Sequence, residues 1–187
     1  RYGTVTGVQT CALPISNSIF NSVSISGTLN NLDVKVDWFS NKGITTINEI
    51  LDIRYSRIPN IYIYGTITAG EPIKINRPVN LYCGNFEFHQ STWGYPGIII
   101  NSSNVTIYGM VSIYSDVTER TAITNPYFPN IVDKKASSSA ICLGSLSESK
   151  QIENIHIENC YLYNFIAGIL SHRSEEHTSE LQSQFRI

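Results

Sequence analysis

Charged residues are scarce in this sequence, and their signs are nearly balanced. Asp, Glu, Lys and Arg make up 15% of the 187 residues, and the formal net charge is −2. Nucleic-acid affinity depends on clustered basic side chains that release counterions from phosphates. Because the sequence has no cluster of Lys or Arg, we expect no nucleic-acid partner.

Long apolar runs are also absent. No stretch approaches the roughly 18 uncharged apolar residues of a membrane-spanning helix, so we expect no membrane partner. Hydrophobic residues nevertheless make up 42% of the sequence, which fits one domain with a sizeable core.

Cysteine is rare as well, with four residues in the sequence. One of them, Cys11, belongs to the N-terminal segment discussed next. The others, Cys83, Cys142 and Cys160, are odd in number and show no CxxC spacing. This pattern predicts neither a disulfide framework nor a zinc site, and we interpret the three as small buried hydrophobic side chains. We expect no metal and no cofactor.

The two ends of the sequence are related through the genetic code. Residues 8–15 (VQTCALPI) can be encoded by a DNA stretch whose reverse complement encodes residues 173–180 (RSEEHTSE). That stretch resembles a common short-read sequencing adapter. We therefore interpret residues 1–16 and 173–187 as adapter read-through, and exclude their acidic and histidine residues as a metal site. The native part, residues 17–172, is expected to lack its true start and end.

One short pattern occurs four times in the native part, and it defines four repeat copies. The copies begin with NIYIYG at Asn60, VNLYCG at Val79, NVTIYG at Asn104 and NIHIEN at Asn154. Aliphatic residues alternate with polar or aromatic ones, as in a half-buried strand, and Gly or Asn follows at a corner. Two further short strands complete each copy. Three strands in each of four copies predict an all-β fold, a parallel β-helix.

This alignment predicts which side chains lie in register. The first strands of the copies should be parallel neighbours in one sheet. Their inward stack should contain Ile63, Leu81, Ile107 and Ile157. Their outward column should contain Tyr64, Tyr82, Tyr108 and Glu158. Such a column either stabilises the stacked copies or contacts carbohydrate, and both interpretations remain open at this stage.

The segment before the repeats, residues 17–59, has a different pattern. VKVDWFSNKG (34–43) predicts a strand and a turn, and TTINEILDIRYSRI (45–58) predicts a short helix. Thr46 and Glu49 match the S/T-x-x-E capping box. We expect this amphipathic helix to cover the open end of the first copy, over Ile61 and Ile63, while residues 60–172 form the repeats.

The order of these segments resembles a known superfamily. VDWFSNKG, a short helix, an IYIYG-type strand, SSNVTIYG and NIHIENCYLYNFIAGIL are together similar to the pectate-lyase-like right-handed β-helix superfamily, closest to phage tailspikes and polysaccharide depolymerases. The resemblance covers residues 33–172. It implies a right-handed parallel β-helix from a secreted bacterial or virion-associated protein, and the parent protein is expected to be a homotrimer.

The resemblance implies no single activity, because the superfamily contains lyases, glycoside hydrolases, epimerases and non-catalytic adhesins. The sequence also departs from the family before the repeats. The acidic pair that is usual in the family's first turn is absent, since Ile44, Thr45 and Thr46 follow Gly43.

Insertions of unequal length follow the second strand of each copy. They read AGE in the first copy, HQSTWGY in the second, the stretch 115–139 in the third and NFIA in the fourth. Insertions on one corner of a repeat protein build a wall beside one face, where a ligand commonly binds. Their aromatic and polar side chains suit a sugar polymer. The predicted substrate-binding residues are His89, Trp93, Tyr95, Arg120 and Tyr127. Alternatively, Trp93 and Tyr127 only pin the loops to the body.

Three carboxylates are candidates for catalysis: Glu87, Asp116 and Glu119. Because stacked copies place equivalent residues about 4.8 Å apart, Glu87 is predicted near the column that contains Ser112 and Asp116. Two carboxylates could serve as the catalytic pair of a glycoside hydrolase. Alternatively, they form a solvated pair without a chemical role. No calcium cluster with a nearby basic residue, as a lyase would show, is recognisable in the sequence.

The predicted function is recognition of an extracellular or cell-surface polysaccharide. Whether the protein also cleaves it, as a lyase or a glycoside hydrolase, is left open. The alternative is a non-catalytic structural adhesin or tail-fibre shaft whose repeats act as a rigid spacer. A third interpretation is that the joined sequence was never translated as one product.

Overall fold

The computed structural model describes residues 27–30, 33–39, 44–82, 84–88, 96–109, 112–115, 139–144, 151–165 and 167–171, with the backbone alone for 44–46 and 112–115. Both terminal segments that we interpret as adapter read-through lie outside these ranges. Strands dominate the described ranges, where the helical elements are α1 (Ile44–Asp52) and a short 3-10 helix (Val36–Trp38). The prediction of an all-β protein is confirmed.

The strands are short, and most have two to four residues. In chain order they are β1 (Thr28–Leu29), β2 (Asp33–Lys35), β3 (Arg54–Tyr55), β4 (Asn60–Tyr62), β5 (Thr66–Ala69), β6 (Ile73–Ile75), β7 (Val79–Tyr82), β8 (Asn85–Phe88), β9 (Ile98–Ile100), β10 (Val105–Tyr108), β11 (Ser112–Ser115), β12 (Ser139–Leu143), β13 (Ile155–Glu158), β14 (Leu162–Tyr163) and β15 (Ala167–Ser171).

These strands form three larger sheets and one separate pair, and all the pairings are parallel. The first sheet has the order β13-β10-β7-β4-β2, the second β14-β11-β8-β5 and the third β15-β12-β9-β6, while β1 pairs with β3. Each repeat copy contributes one strand to each sheet, always in the same sequence. The first strands of the four copies are therefore parallel neighbours, as predicted.

The core consists of the inward side chains of all three sheets. Phe86, Phe88, Leu81 and Ile107 are fully buried there, and each alternates along its strand with an outward, more exposed residue. Burying branched and aromatic side chains in stacked columns is the main stabilising contribution, at about 25 cal/mol per Å² of apolar surface. The alternation in the sequence therefore translates directly into an inside and an outside.

The predicted register is correct for three copies and wrong for the first. Leu81 pairs with Ile107, and Ile107 pairs with Ile157, as expected. However, Leu81 pairs with Ile61 on its other side and not with Ile63. The first strand of copy one is therefore displaced by two residues from its predicted position.

The corner that follows this strand also differs from the corner of copy two. Three residues, 63–65, connect β4 to β5, whereas only two residues, 83–84, connect β7 to β8. Ile63 is fully buried within this longer corner, and its N–H donates a hydrogen bond of 3.0 Å to the carbonyl of Tyr82. Burial of Ile63 at the corner thus leaves Ile61 to occupy the inward position in the strand.

Helix α1 packs against β5 and β6. Its apolar residues Ile47, Ile50 and Leu51 have the i, i+3, i+4 spacing of an amphipathic helix, and they are buried in the same core as Ile61 and Ile63.

Two predictions about this helix are wrong. It begins at Ile44, so Thr46 is its third residue and cannot be the N-cap of a capping box. It also ends at Asp52, six residues before the predicted end, because Arg54 and Tyr55 pair with β1 as a strand.

Asn48 on α1 connects the helix to the open edge of the third sheet. Strand β6 pairs with β9 on one side only. On its other side, the backbone N–H of Lys74 donates to Asn48 Oδ1 at 3.1 Å, and Asn48 Nδ2 donates to the carbonyl of Pro72 at 3.4 Å. One amide side chain thereby satisfies a donor and an acceptor of an edge strand, as a neighbouring strand would.

We predict that Asn48→Ala lowers the free energy of unfolding by about 1–3 kcal/mol, because the partly buried N–H of Lys74 loses its acceptor. Hydrogen exchange at the Lys74 amide should become faster. Glu49→Ala is the matched control, since Glu49 is the next residue of the helix and is exposed. Unchanged exchange at Lys74 in the Asn48 variant would contradict this role.

Candidate functional site

Of the eight residues predicted to bind or cleave substrate, the described ranges include Glu87. The others, His89, Trp93, Tyr95, Asp116, Glu119, Arg120 and Tyr127, lie outside those ranges. Glu87 belongs to β8, where its neighbours Phe86 and Phe88 point into the core. The side chain of Glu87 is half-buried on the outward face of the second sheet, as the alternation predicts.

The register places Tyr114 opposite Glu87, and not an acidic residue. On the other side of Glu87 lies Thr68. Ser112 pairs with Asn85, so it belongs to the neighbouring outward column, two residues away along the strand. The predicted closeness of Glu87 to the Ser112 column is therefore wrong by one outward position, because copy three enters this sheet two residues later than the pattern indicates.

Glu87 is the single acidic residue in the described strands of the second sheet, whose sequences are TITA, NFEF, SIYS and LY. A two-carboxylate mechanism requires a second Asp or Glu within about 5–10 Å. Within the described part of this sheet, no strand residue supplies it.

The outward face of the first sheet carries a column of tyrosines. The register aligns Lys35, Tyr62, Tyr82, Tyr108 and Glu158. The rings of Tyr62 and Tyr82 stack with a centroid distance of 5.3 Å and an interplanar angle of 21°. Tyr82 and Tyr108 meet edge to face at 6.2 Å. The column was predicted, but its first member is Tyr62 and not Tyr64, because of the displaced register of copy one.

Tyr64 lies instead in the corner between β4 and β5. It is 53% exposed, and the ammonium of Lys35 lies 5.8 Å from the centre of its ring. This distance allows a cation–π contact. The displaced residue therefore remains on the surface beside the column.

Two further tyrosines, Tyr161 and Tyr163, are the most exposed of the large apolar side chains, at 74% and 65%. Tyr163 belongs to β14 and pairs with Tyr114, so it lies in the same column of the second sheet as Glu87. Tyr161 immediately precedes β14, in the corner between the first and second sheets. Neither tyrosine was predicted as a site residue, although the alternation in CYLY places both on the outward side.

Six tyrosines thus lie on the two outward faces that meet at one corner, and we call them the tyrosine surface: Tyr62, Tyr64, Tyr82, Tyr108, Tyr161 and Tyr163. Seven tyrosines have described side chains, and Tyr55 is the one outside this surface. Most of the described tyrosines are therefore concentrated on one side of the molecule.

Hydrogen-bonding groups line the tyrosine surface. Asn60 Nδ2 donates to Asp33 Oδ1 at 3.0 Å, and Asn80 Nδ2 donates to Asn60 Oδ1 at 3.0 Å. Desolvation and the charge of Asp33, to which the phenol also donates a hydrogen bond, raise the pKa of Tyr62. The phenol of Tyr62 therefore remains a proton donor at neutral pH.

At the other end of the surface, His156 Nε2 lies 2.7 Å from Glu158 Oε2. Both side chains are at least half exposed, at 63% and 50%. An exposed ion pair of this kind contributes little to stability. The two side chains therefore belong to a solvated part of the surface.

Within the described ranges, the outward side of the third sheet has few reactive side chains. Ile99 and Cys142 pair in register there, and both are buried. Burial raises the pKa of Cys142 to about 12, although the nearby side chain of Ser139 has a smaller opposite effect. Since the thiolate is the reactive form of cysteine, this thiol is inert at neutral pH.

No group of three or more metal-ligating side chains occurs among the described residues. In the same ranges, no helix is both long enough and apolar enough to cross a bilayer. Among the described residues, the groups available to a ligand are the aromatic rings of the tyrosine surface and the amides, carboxylates and one imidazole that border it.

Comparison with known proteins provides no relative. No family model matches the sequence, and searches of curated proteins and of solved structures find no significant match.

Proposed function

We propose that the chain is a right-handed parallel β-helix domain that recognises an extracellular or cell-surface polysaccharide through its tyrosine surface. The observation that carries this proposal is the concentration of six tyrosines on two adjoining outward faces. A buried core needs none of them, because the inward positions of the same strands are aliphatic or phenylalanine.

The solenoid part of the proposal is supported by the strand order. Every copy passes through the same three sheets, and each strand pairs with the equivalent strand of the next copy. Columns of buried side chains connect the copies, as expected of stacked turns. The right-handed sense is the one preferred by parallel crossovers, and it is the sense implied by the resemblance to pectate-lyase-like proteins.

The carbohydrate part is supported by the chemistry and spacing of the surface. Tyrosine rings offer a flat apolar face for the CH groups of a sugar ring, and their hydroxyls offer hydrogen bonds. Adjacent strands are about 4.8 Å apart, so the column from Tyr62 to Tyr108 extends over about 10 Å. This length suits a polymer lying across the strands better than a single small molecule.

The resemblance to tailspikes and depolymerases suggests the biological setting. We propose that the chain belongs to a phage-tail protein or a secreted bacterial protein, and that this parent protein is a homotrimer. In this setting, tyrosines arranged across several copies would bind successive units of a cell-surface glycan.

Substitution of Tyr108 by alanine should weaken polysaccharide binding by a factor of about two to ten, since one aromatic contact contributes about 0.5–1.5 kcal/mol. Tyr108→Phe keeps the ring and should retain most of the affinity. Binding can be measured on an array of bacterial polysaccharides and then by calorimetry. Ile58→Ala is the control, because Ile58 is another large exposed side chain, at 43%, and lies outside the tyrosine surface. A protein that binds no glycan on the array would refute the proposal.

Cleavage of the bound polysaccharide, by a lyase or glycoside hydrolase mechanism, is a separate proposal that depends on Glu87, with Asp116 or Glu119 as its partner. If the protein depolymerises its glycan, Glu87→Gln should abolish the activity and leave binding nearly intact, because an amide cannot act as acid, base or nucleophile. The release of reducing ends measures hydrolysis. Glu153→Gln is the matched control and should remain active, because Glu153 is exposed, precedes β13 and lies outside the tyrosine surface.

The alternative function is a structural adhesin or tail-fibre shaft. The stacking of Tyr62 on Tyr82 favours it, because rings that contact each other within the protein also stabilise neighbouring copies. Under this alternative, Tyr82→Ala lowers the thermal stability while the exposed Tyr161 and Tyr163 can be replaced without loss of any glycan affinity.

A further inference from the structure

We propose a second binding site, specific for small amphipathic carboxylates, in a cleft between the N-terminal cap and the first two repeat copies. The cleft has a volume of about 230 Å³, and none of the residues of the tyrosine surface lines it. Leu51 of α1, Ile58 before β4 and Val79 of β7 contribute apolar walls. Segments that are distant in sequence thus enclose one apolar space.

Two arginines, Arg57 and Arg77, line the same cleft, and no acidic residue does. Arg77 donates from one terminal nitrogen to the carbonyl of Ile53 at 3.2 Å, which holds the guanidinium at the cleft. A guanidinium has five N–H donors, so Arg77 retains others for a ligand. Arg57 is exposed, and no ion pair joins it to any other described residue. The cleft is therefore positively charged without an internal counterion in the described part of the chain.

Tyr55 also lines the cleft and does not neutralise this charge. Its hydroxyl donates to the carbonyl of Ile50 at 2.8 Å. Burial raises the pKa of Tyr55 above its ordinary value in spite of the opposing effect of Arg77. The phenol consequently remains neutral and does not balance the charges of Arg57 and Arg77. An anion from solution could therefore bind to these two side chains.

The combination of apolar walls and two arginine side chains selects the class of ligand. Arginine recognises carboxylates through directed, charge-assisted hydrogen bonds, while the apolar walls favour a hydrocarbon body. A sugar acid has the charge but would leave its hydroxyls without partners against those walls. The volume is below the roughly 300–1,000 Å³ of sites for drug-sized ligands, which indicates a short-chain or single-ring carboxylate.

The test uses octanoate as the probe and the full chain. Octanoate should raise the midpoint of thermal unfolding in a concentration-dependent manner, because a ligand that binds only the folded state stabilises it. Methyl resonances of Leu51, Ile58 and Val79 should shift in NMR titrations. Octanol lacks the carboxylate, and glucuronate and inorganic phosphate lack the hydrocarbon body. Each of the three should therefore bind at least about tenfold more weakly than octanoate.

Arg57→Gln should weaken octanoate binding by about tenfold or more, and Arg54→Gln is the control with the same change in charge. Arg54 is exposed on β3 and does not line the cleft. Equal binding of octanoate and phosphate, or unchanged affinity in Arg57→Gln, would overturn the proposal. Tyr108→Ala should leave octanoate binding unchanged, so failure of this site and failure of the glycan proposal are separate results.

Discussion

Replacement of Gly84 by alanine is expected to lower the free energy of unfolding by about 2–5 kcal/mol. Gly84 has a φ of +91°, a conformation that side chains with a Cβ disfavour. A Cβ at this position would also lie 2.8 Å from Cβ of Ile63 and would collide with its Cγ2. Backbone strain and overpacking therefore act together at a single corner, and urea unfolding measures their sum.

Gly65→Ala is the matched control, because Gly65 has a similar φ of +86° but nothing within 4 Å of an added Cβ. This variant should lose only the conformational contribution, about 1–2 kcal/mol. The difference between the two variants isolates the collision with Ile63. Combining Gly84→Ala with Ile63→Ala should cost less than the sum of the single changes, because the colliding methyl group is removed. Equal losses for the two glycines would show that Ile63 is not packed against this corner.

Phe86→Ala is expected to be still more destabilising, by about 3–5 kcal/mol. Phe86 is fully buried, and its neighbours in the sheet are Ile67 on β5 and Ile113 on β11. Truncation would leave a cavity in the middle of a column that continues through four copies, where the surrounding strands cannot collapse without losing their register. Thermal and urea unfolding should both report this loss.

Asn85→Ala provides the control one residue away. Asn85 points outward, and its side-chain amide donates to Thr66 Oγ1 at 3.3 Å in an exposed hydrogen bond. Its removal should change stability by no more than about 0.5 kcal/mol. Because Asn85 and Phe86 are neighbours that point to opposite faces of β8, similar effects at both positions would contradict the assigned alternation of this strand.

The extent to which the sequence predicted the fold can be traced in individual copies. The first strands of copies two, three and four each carry two aliphatic residues two positions apart, followed by Tyr or Glu, and their observed pairing equals their alignment in the sequence. Copy one carries two equally suitable isoleucines, Ile61 and Ile63. Alignment on the corner glycine chose the wrong one, because it assumes that the glycine always lies at the same distance from the strand. Gly65 lies three residues after the end of β4, whereas Gly109 directly follows β10.

The candidate site was also predicted only in part. Outward placement of Glu87, Tyr82 and Tyr108 was predictable from the period of two, which depends only on the geometry of a strand. The residue opposite Glu87 was not predictable, since it depends on how many residues occupy the corner of the neighbouring copy. The cleft with Arg57 and Arg77 was equally hidden, because its lining comes from a helix, a loop and a strand that only packing brings together.

By itself, the sequence determined the all-β class, the parallel repeats and the faces to which most strand residues point. These properties follow from side-chain alternation and corner residues, which act over a few neighbouring positions. Tertiary structure alone decided the register of copy one, the end of α1 and the joining of two tyrosine-bearing faces at one corner. Those outcomes depend on competition between non-local contacts, such as burial of Ile63 against Gly84 and pairing of Tyr55 with Leu29, whose free energies no local pattern contains.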